Sequence, residues 1–126
     1  MSNKRILVVD DEPDILDLLQ NILVAEGFEV DTADNARSAL ESIRNQIYDV
    51  ALLDFNLPDM DGVMLHRQIR QIDEELAGRS IFMSGLVQDG SSMDYYASFG
   101  GAFVAKPFDV SQVIEAVESV LRPSEE

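Results

Sequence analysis

Cysteine is absent from this chain. Disulfides and thiolate metal sites are therefore excluded, and nothing points to an oxidising compartment. Basic residues are scarce: 9 Lys and Arg stand against 24 Asp and Glu, for a formal charge of −15. Affinity for a nucleic-acid backbone comes from Lys and Arg, so a surface this acidic repels it. No basic stripe and no recognition-helix pattern interrupts the acidity, which argues against direct nucleic-acid binding. Partners with basic surfaces, and divalent cations, fit the charge better. Histidine occurs once, at His66, which leaves a zinc site without a second imidazole. A lone His in a helical stretch reads as a solvated or packed side chain. No apolar run approaches the length of a membrane span. The N-terminal MSNKRILVVDDE begins with basic residues, but its apolar run is too short for a signal peptide. A cytoplasmic protein is the simplest expectation.

What is present is a chain of 126 residues, 46% hydrophobic, enough for one domain with a real core. The domain is expected over residues 1–122. Pro123 ends the last helix, and residues 123–126 form a polar tail or the start of a linker. No DNA-binding or catalytic effector follows, so a stand-alone protein and a piece of a longer chain both fit.

Short apolar runs bounded by turn residues read as buried strands. They fall at residues 4–9, 50–53, 80–83 and 102–105, with an alternating outer strand at residues 28–32. Helical spacing fills the gaps between them. Pro13 suits a first helical turn, and Gly27 suits a helix stop. Ile15, Leu18, Leu19 and Ile22 line the first helix. Asp34 or Asn35 caps the second, which turns Ala36, Ala39, Leu40 and Ile43 inward. A third helix over residues 63–73 presents Leu65, Ile69 and Ile72. A short fourth helix over residues 93–99 follows a Gly- and Ser-rich stretch. Asp109 caps the last helix, with Gln112 completing a capping box. Val110, Val113, Ile114, Val117, Val120 and Leu121 form its apolar face. Strand and helix alternate throughout, which predicts a doubly wound α/β fold with a parallel sheet.

In such a sheet the carboxyl ends of all strands share one edge, where ligands bind. Asp10 and Asp11 end strand one, Asp54 ends strand three, Ser84 ends strand four, and Lys106 follows strand five. Two carboxylates ~4 Å apart repel by roughly 4 kcal/mol at an effective dielectric of about 20. Three together demand a proton or a cation. Oxygen-only, carboxylate-rich sites suit Mg²⁺. Asp10, Asp11, Asp54 and a backbone carbonyl at Asn56 are the candidate ligands. An Asp beside a metal, an ammonium and a hydroxyl suits phosphoryl transfer, with Asp54 as nucleophile and Lys106 and Ser84 on the phosphoryl oxygens.

These residues resemble the receiver domain of two-component response regulators. The resemblance rests on ILVVDDEPDIL, on LLDFNLPDMDG, on Ser84 and on VAKPF, and it covers nearly the whole chain. It implies a flavodoxin-like sheet of order 2-1-3-4-5 with helices on both faces. It implies Mg²⁺-dependent transfer of a phosphoryl group to Asp54 from a histidine kinase or phosphotransfer protein. It further implies that Ser84 and Phe103 switch the surface of helix four, strand five and helix five. Phe103 also reads as a plain core aromatic. Asp61 and Gly62 read as structural loop residues. The alternatives are a phosphate-independent interaction domain of the same fold and an aspartyl-nucleophile phosphohydrolase. Such hydrolases commonly carry a second acid two residues after the nucleophile. Here that position is Asn56.

Overall fold

The computed structural model describes residues 4–55, 57–84, 102–105 and 108–121, with the side chains of Ser84 and Ala105 left out. Five strands, β1 (Arg5–Val9), β2 (Glu29–Ala33), β3 (Val50–Asp54), β4 (Ser80–Ser84) and β5 (Ala102–Ala105), form one sheet. Every pairing is parallel, as the strand-helix alternation predicts, and the order is β2-β1-β3-β4-β5, as the resemblance implies.

The apolar runs lack alternation because both sheet faces are covered. One face carries Leu7, Val9, Ala51, Leu53 and Phe82. It packs on α2 (Ala36–Asn45), α3 (Gly62–Ile72) and a short α4 (Glu74–Gly78). The other face carries Ile6, Val8, Val50, Leu52, Ile81 and Met83, under α1 (Pro13–Ala25) and α5 (Val110–Leu121). None of the described helices is long and apolar enough to cross a membrane.

Most helix ends are where the sequence puts them. Gly27 sits at φ 98, a left-handed conformation that costs glycine little. The Gly27 and Phe28 N–H groups donate to the Val24 and Leu23 carbonyls at 3.0 and 3.1 Å, the paired bonds of a Schellman stop. Asn35, rather than Asp34, caps α2 by accepting from the Ser38 N–H at 2.8 Å. At α5 the Gln112 side chain accepts from the Asp109 N–H at 2.7 Å, the return half of the capping box.

Two expectations need correction, and one element was missed. Leu18 is not a core residue of α1: it is exposed, while the buried stripe centres on Leu19 and Leu23. Val110 is likewise exposed, because the first turn of α5 runs past the core that Val113 and Val117 fill. Helix α4 was not anticipated. Asp73 caps it through the Leu76 N–H at 3.1 Å, and Leu76 and Ala77 are buried. The helix expected over residues 93–99 lies outside the described residues.

His66 is packed, not solvated. Its ring is fully buried, donates from Nε2 to the Ala77 carbonyl at 2.8 Å, and lies 5.6 Å from the Phe82 ring. Burial lowers its pKa, against the opposing pull of the Ala77 carbonyl.

Candidate metal and phosphoacceptor site

The sheet register builds the site. Val9 pairs with Leu53, so Asp10 and Asp54 leave neighbouring strands at the same level. Asp10 continues the β1–β2 ladder, since its N–H donates to the Ala33 carbonyl at 3.1 Å. Its Oδ1 accepts from the Glu12 N–H at 2.9 Å, which turns the chain into α1. Asp10 is fully buried and Asp54 is 5% exposed. Asp11 is exposed at the mouth. One carboxylate oxygen from each of Asp10, Asp11 and Asp54 lies within 4.8 Å of the others.

Carboxylates this close, two of them buried, form a donor set that a hard divalent cation fits. An all-oxygen set without thiolate or imidazole favours Mg²⁺ over zinc. The residues present therefore fit the metal that the sequence implies.

Beyond Asp54 the chain turns sharply. The Phe55 N–H donates to the Met83 carbonyl at 2.8 Å, and the Gly62 N–H donates to the Phe55 carbonyl at 2.7 Å. Asp61 caps α3 through the Met64 N–H at 2.8 Å, the structural role expected of it. Gly62 is the first residue of α3 and is buried.

Ser84 ends β4 opposite Ala105, the residue that precedes Lys106 in the chain. Lys106 and Asn56 lie outside the described residues, as does the Ser84 side chain. Phe103, on β5, is 37% exposed, which speaks against a plain core aromatic. It lines a concavity of about 310 Å³ between β5 and α5, with Gln112, Glu115 and Ser119 on the helical side.

Asp59 reads in the sequence as one of the turn residues after Asp54, and its reach to α2 was missed. Its carboxylate accepts from the Ala36 N–H at 2.9 Å and the Arg37 N–H at 3.0 Å. The Ala36 bond above all, with that of Arg37 and the Arg37 charge, holds its pKa below the usual carboxylate value. No local signal marks it, because the partner helix begins 23 residues earlier in the chain.

The chain is 34% identical over 118 residues to the chemotaxis protein CheY of Bacillus subtilis (strain 168), covering 93% of this chain and 97% of that one. A CheY-like response regulator receiver domain protein from Methanospirillum hungatei JF-1 shares the fold at a TM-score of 0.86 and 33% identity, over 95% of this chain and 94% of that one. The response regulator TrrA from Thermotoga maritima, solved in complex with Mg²⁺–BeF, gives a TM-score of 0.81 at 33% identity, over 94% of this chain and 99% of that one. A family model described as the response regulator receiver domain matches residues 6–118. With the sheet order and the acidic cluster in place, the chain belongs to the response regulator receiver domain family.

Proposed function

We propose that the chain is a phosphorylatable switch of a two-component phosphorelay, with Asp54 as the phosphoacceptor. The observation that carries this reading is the meeting of Asp10, Asp11 and Asp54 at the carboxyl edge of the sheet. The donor is a histidine kinase or a phosphotransfer protein. An oxygen of Asp54 forms a bond to phosphorus as the bond from phosphorus to the donor's imidazole nitrogen breaks. The electron pair leaves with the imidazole, and Asp54 becomes an acyl phosphate.

Asp10, Asp11, Asp54 and the Asn56 carbonyl are the ligands assigned to Mg²⁺. Bound there, the ion neutralises charge on the phosphoryl oxygens. The Lys106 ammonium pairs with one phosphoryl oxygen, and the Ser84 hydroxyl donates to another. Contacts of this kind bias a two-state equilibrium, which is read through Ser84 and Phe103 at the surface around β5 and α5. The chain then catalyses only its own phosphorylation and dephosphorylation. Asn56, standing where hydrolases carry a second acid, agrees with slow turnover. The Mg²⁺–BeF complex of TrrA supports the assignment by similarity.

Incubation with phosphoramidate or acetyl phosphate and Mg²⁺ tests this reading. One phosphoryl adduct is expected by intact mass, lost in EDTA and lost in Asp54→Asn. Equal labelling of Asp54→Asn would remove Asp54 from its role.

A further inference from the structure

The loop that includes residues 57–61 leads into α3 from the Asp54 side. Its ends are fixed by the Phe55–Met83 and Gly62–Phe55 backbone bonds and by the Asp61 cap. Asp59, near its middle, reaches a different helix. One of its oxygens accepts from Ala36 and the other from Arg37, the first two N–H groups of α2. That helix already has a cap of its own, because Asn35 takes the Ser38 N–H. Early N–H groups of a capped helix are commonly satisfied by water. Their use by a loop residue therefore fastens the loop to α2 as much as it finishes the helix.

We propose that Asp59 is a positioning residue for the acidic site: by clamping the loop to α2 it sets the geometry in which Asp54 meets Mg²⁺. This rests on the Mg²⁺-dependent reading above. The clamp touches neither the metal nor the phosphoryl group. It acts through the segment that leaves Asp54, as supporting contacts around metal ligands do.

Calorimetric titration with MgCl₂ separates the clamp from the cap. The full chain is compared with Asp59→Ala, Asp59→Asn and Asn35→Ala in ~0.5 M salt. There the Debye length is about 4 Å, so loss of a distant charge weighs little. Asp59→Ala is expected to weaken Mg²⁺ binding by about tenfold. Asp59→Asn keeps one acceptor oxygen and falls between. Asn35→Ala uncaps the same helix without touching the loop, and binds as the unmodified chain does. The Asp59→Ala deficit in phosphoramidate labelling disappears at saturating Mg²⁺. If Asp59→Ala does not fold, Asp59→Asn carries the same comparison. Unchanged affinity in the Asp59 variants, or an equal loss in Asn35→Ala, would overturn the clamp. Failure of the unmodified chain to bind Mg²⁺ would overturn the proposed function and the clamp with it.

Discussion

Gly62 approaches Phe55 so closely that a Cβ on it would lie 3.0 Å from the Phe55 Cα. The same atom would meet the Phe55 and Phe82 rings at 3.1 Å. Backbone cannot yield as a flexible side-chain tip does. Alanine gains up to about 1 kcal/mol over glycine in a helix, but overpacking costs roughly 1–3 kcal/mol. Gly62→Ala is therefore expected to destabilise the fold and to disturb the turn after Asp54. Urea melts check this. A midpoint equal to or above that of the unmodified chain would show that the turn gives way freely.

Mg²⁺ should raise the melting temperature, because a ligand that binds only the folded chain stabilises it by mass action. In EDTA, Asp11→Asn should melt above the unmodified chain, since it removes one of three clustered charges. Asp11 is exposed, so solvent screening holds the gain to about 1 kcal/mol or less. In excess Mg²⁺ the order should reverse. Paired thermal scans read both signs, and identical shifts in the two proteins would deny Asp11 a ligand's part.

His66 supplies an acid sensitivity above the carboxylate range. Burial depresses its folded pKa below the ordinary 6.5. The unfolded chain takes up a proton near that pH while the buried ring still resists. Its contribution is thus intact above about 6.5 and shrinks as pH falls toward the folded value. Denaturant stability should drop as pH falls below about 6.5. His66→Gln, which keeps a donor for the Ala77 carbonyl, should flatten that slope. A slope unchanged by the substitution would assign it to other groups.

Tyr48 acts at the alkaline end. Its hydroxyl donates to Asp31 Oδ2 at 2.7 Å, and its side chain is almost wholly buried. Desolvation first, then the Asp31 bond, push its pKa from 10.0 up to about 12. The folded chain keeps the proton that the unfolded chain releases, so stability falls as pH rises between those two values. Absorbance titration should show a late tyrosine ionisation, and Tyr48→Phe should abolish that step.

The strands were legible because parallel strands buried on both faces read as plain apolar runs, whereas their order followed from the family resemblance and not from the runs. The three acids were legible because Asp10 and Asp54 directly follow such runs and Asp11 follows Asp10. Helix α4 was not: five residues are too few for a helical period to emerge. Only Asp73, with Glu74 and Glu75 in the first turn, marked its start. Leu18 was misplaced because periodicity fixes the centre of an apolar stripe better than its rim, and Val110 because a stripe does not show where along the helix the core ends. The reach of Asp59 to α2 escaped notice for another reason. A side chain that caps a helix from a distant loop leaves no spacing to read.

The pairing of Val9 with Leu53 has one last implication. Were β3 to slip by a single residue against β1, Asp54 would swing to the opposite face and its neighbours would turn inside out. No fragment containing only one of these strands possesses the acidic pocket. Chemistry here comes into existence with long-range assembly, so a misfolded copy is a silent one.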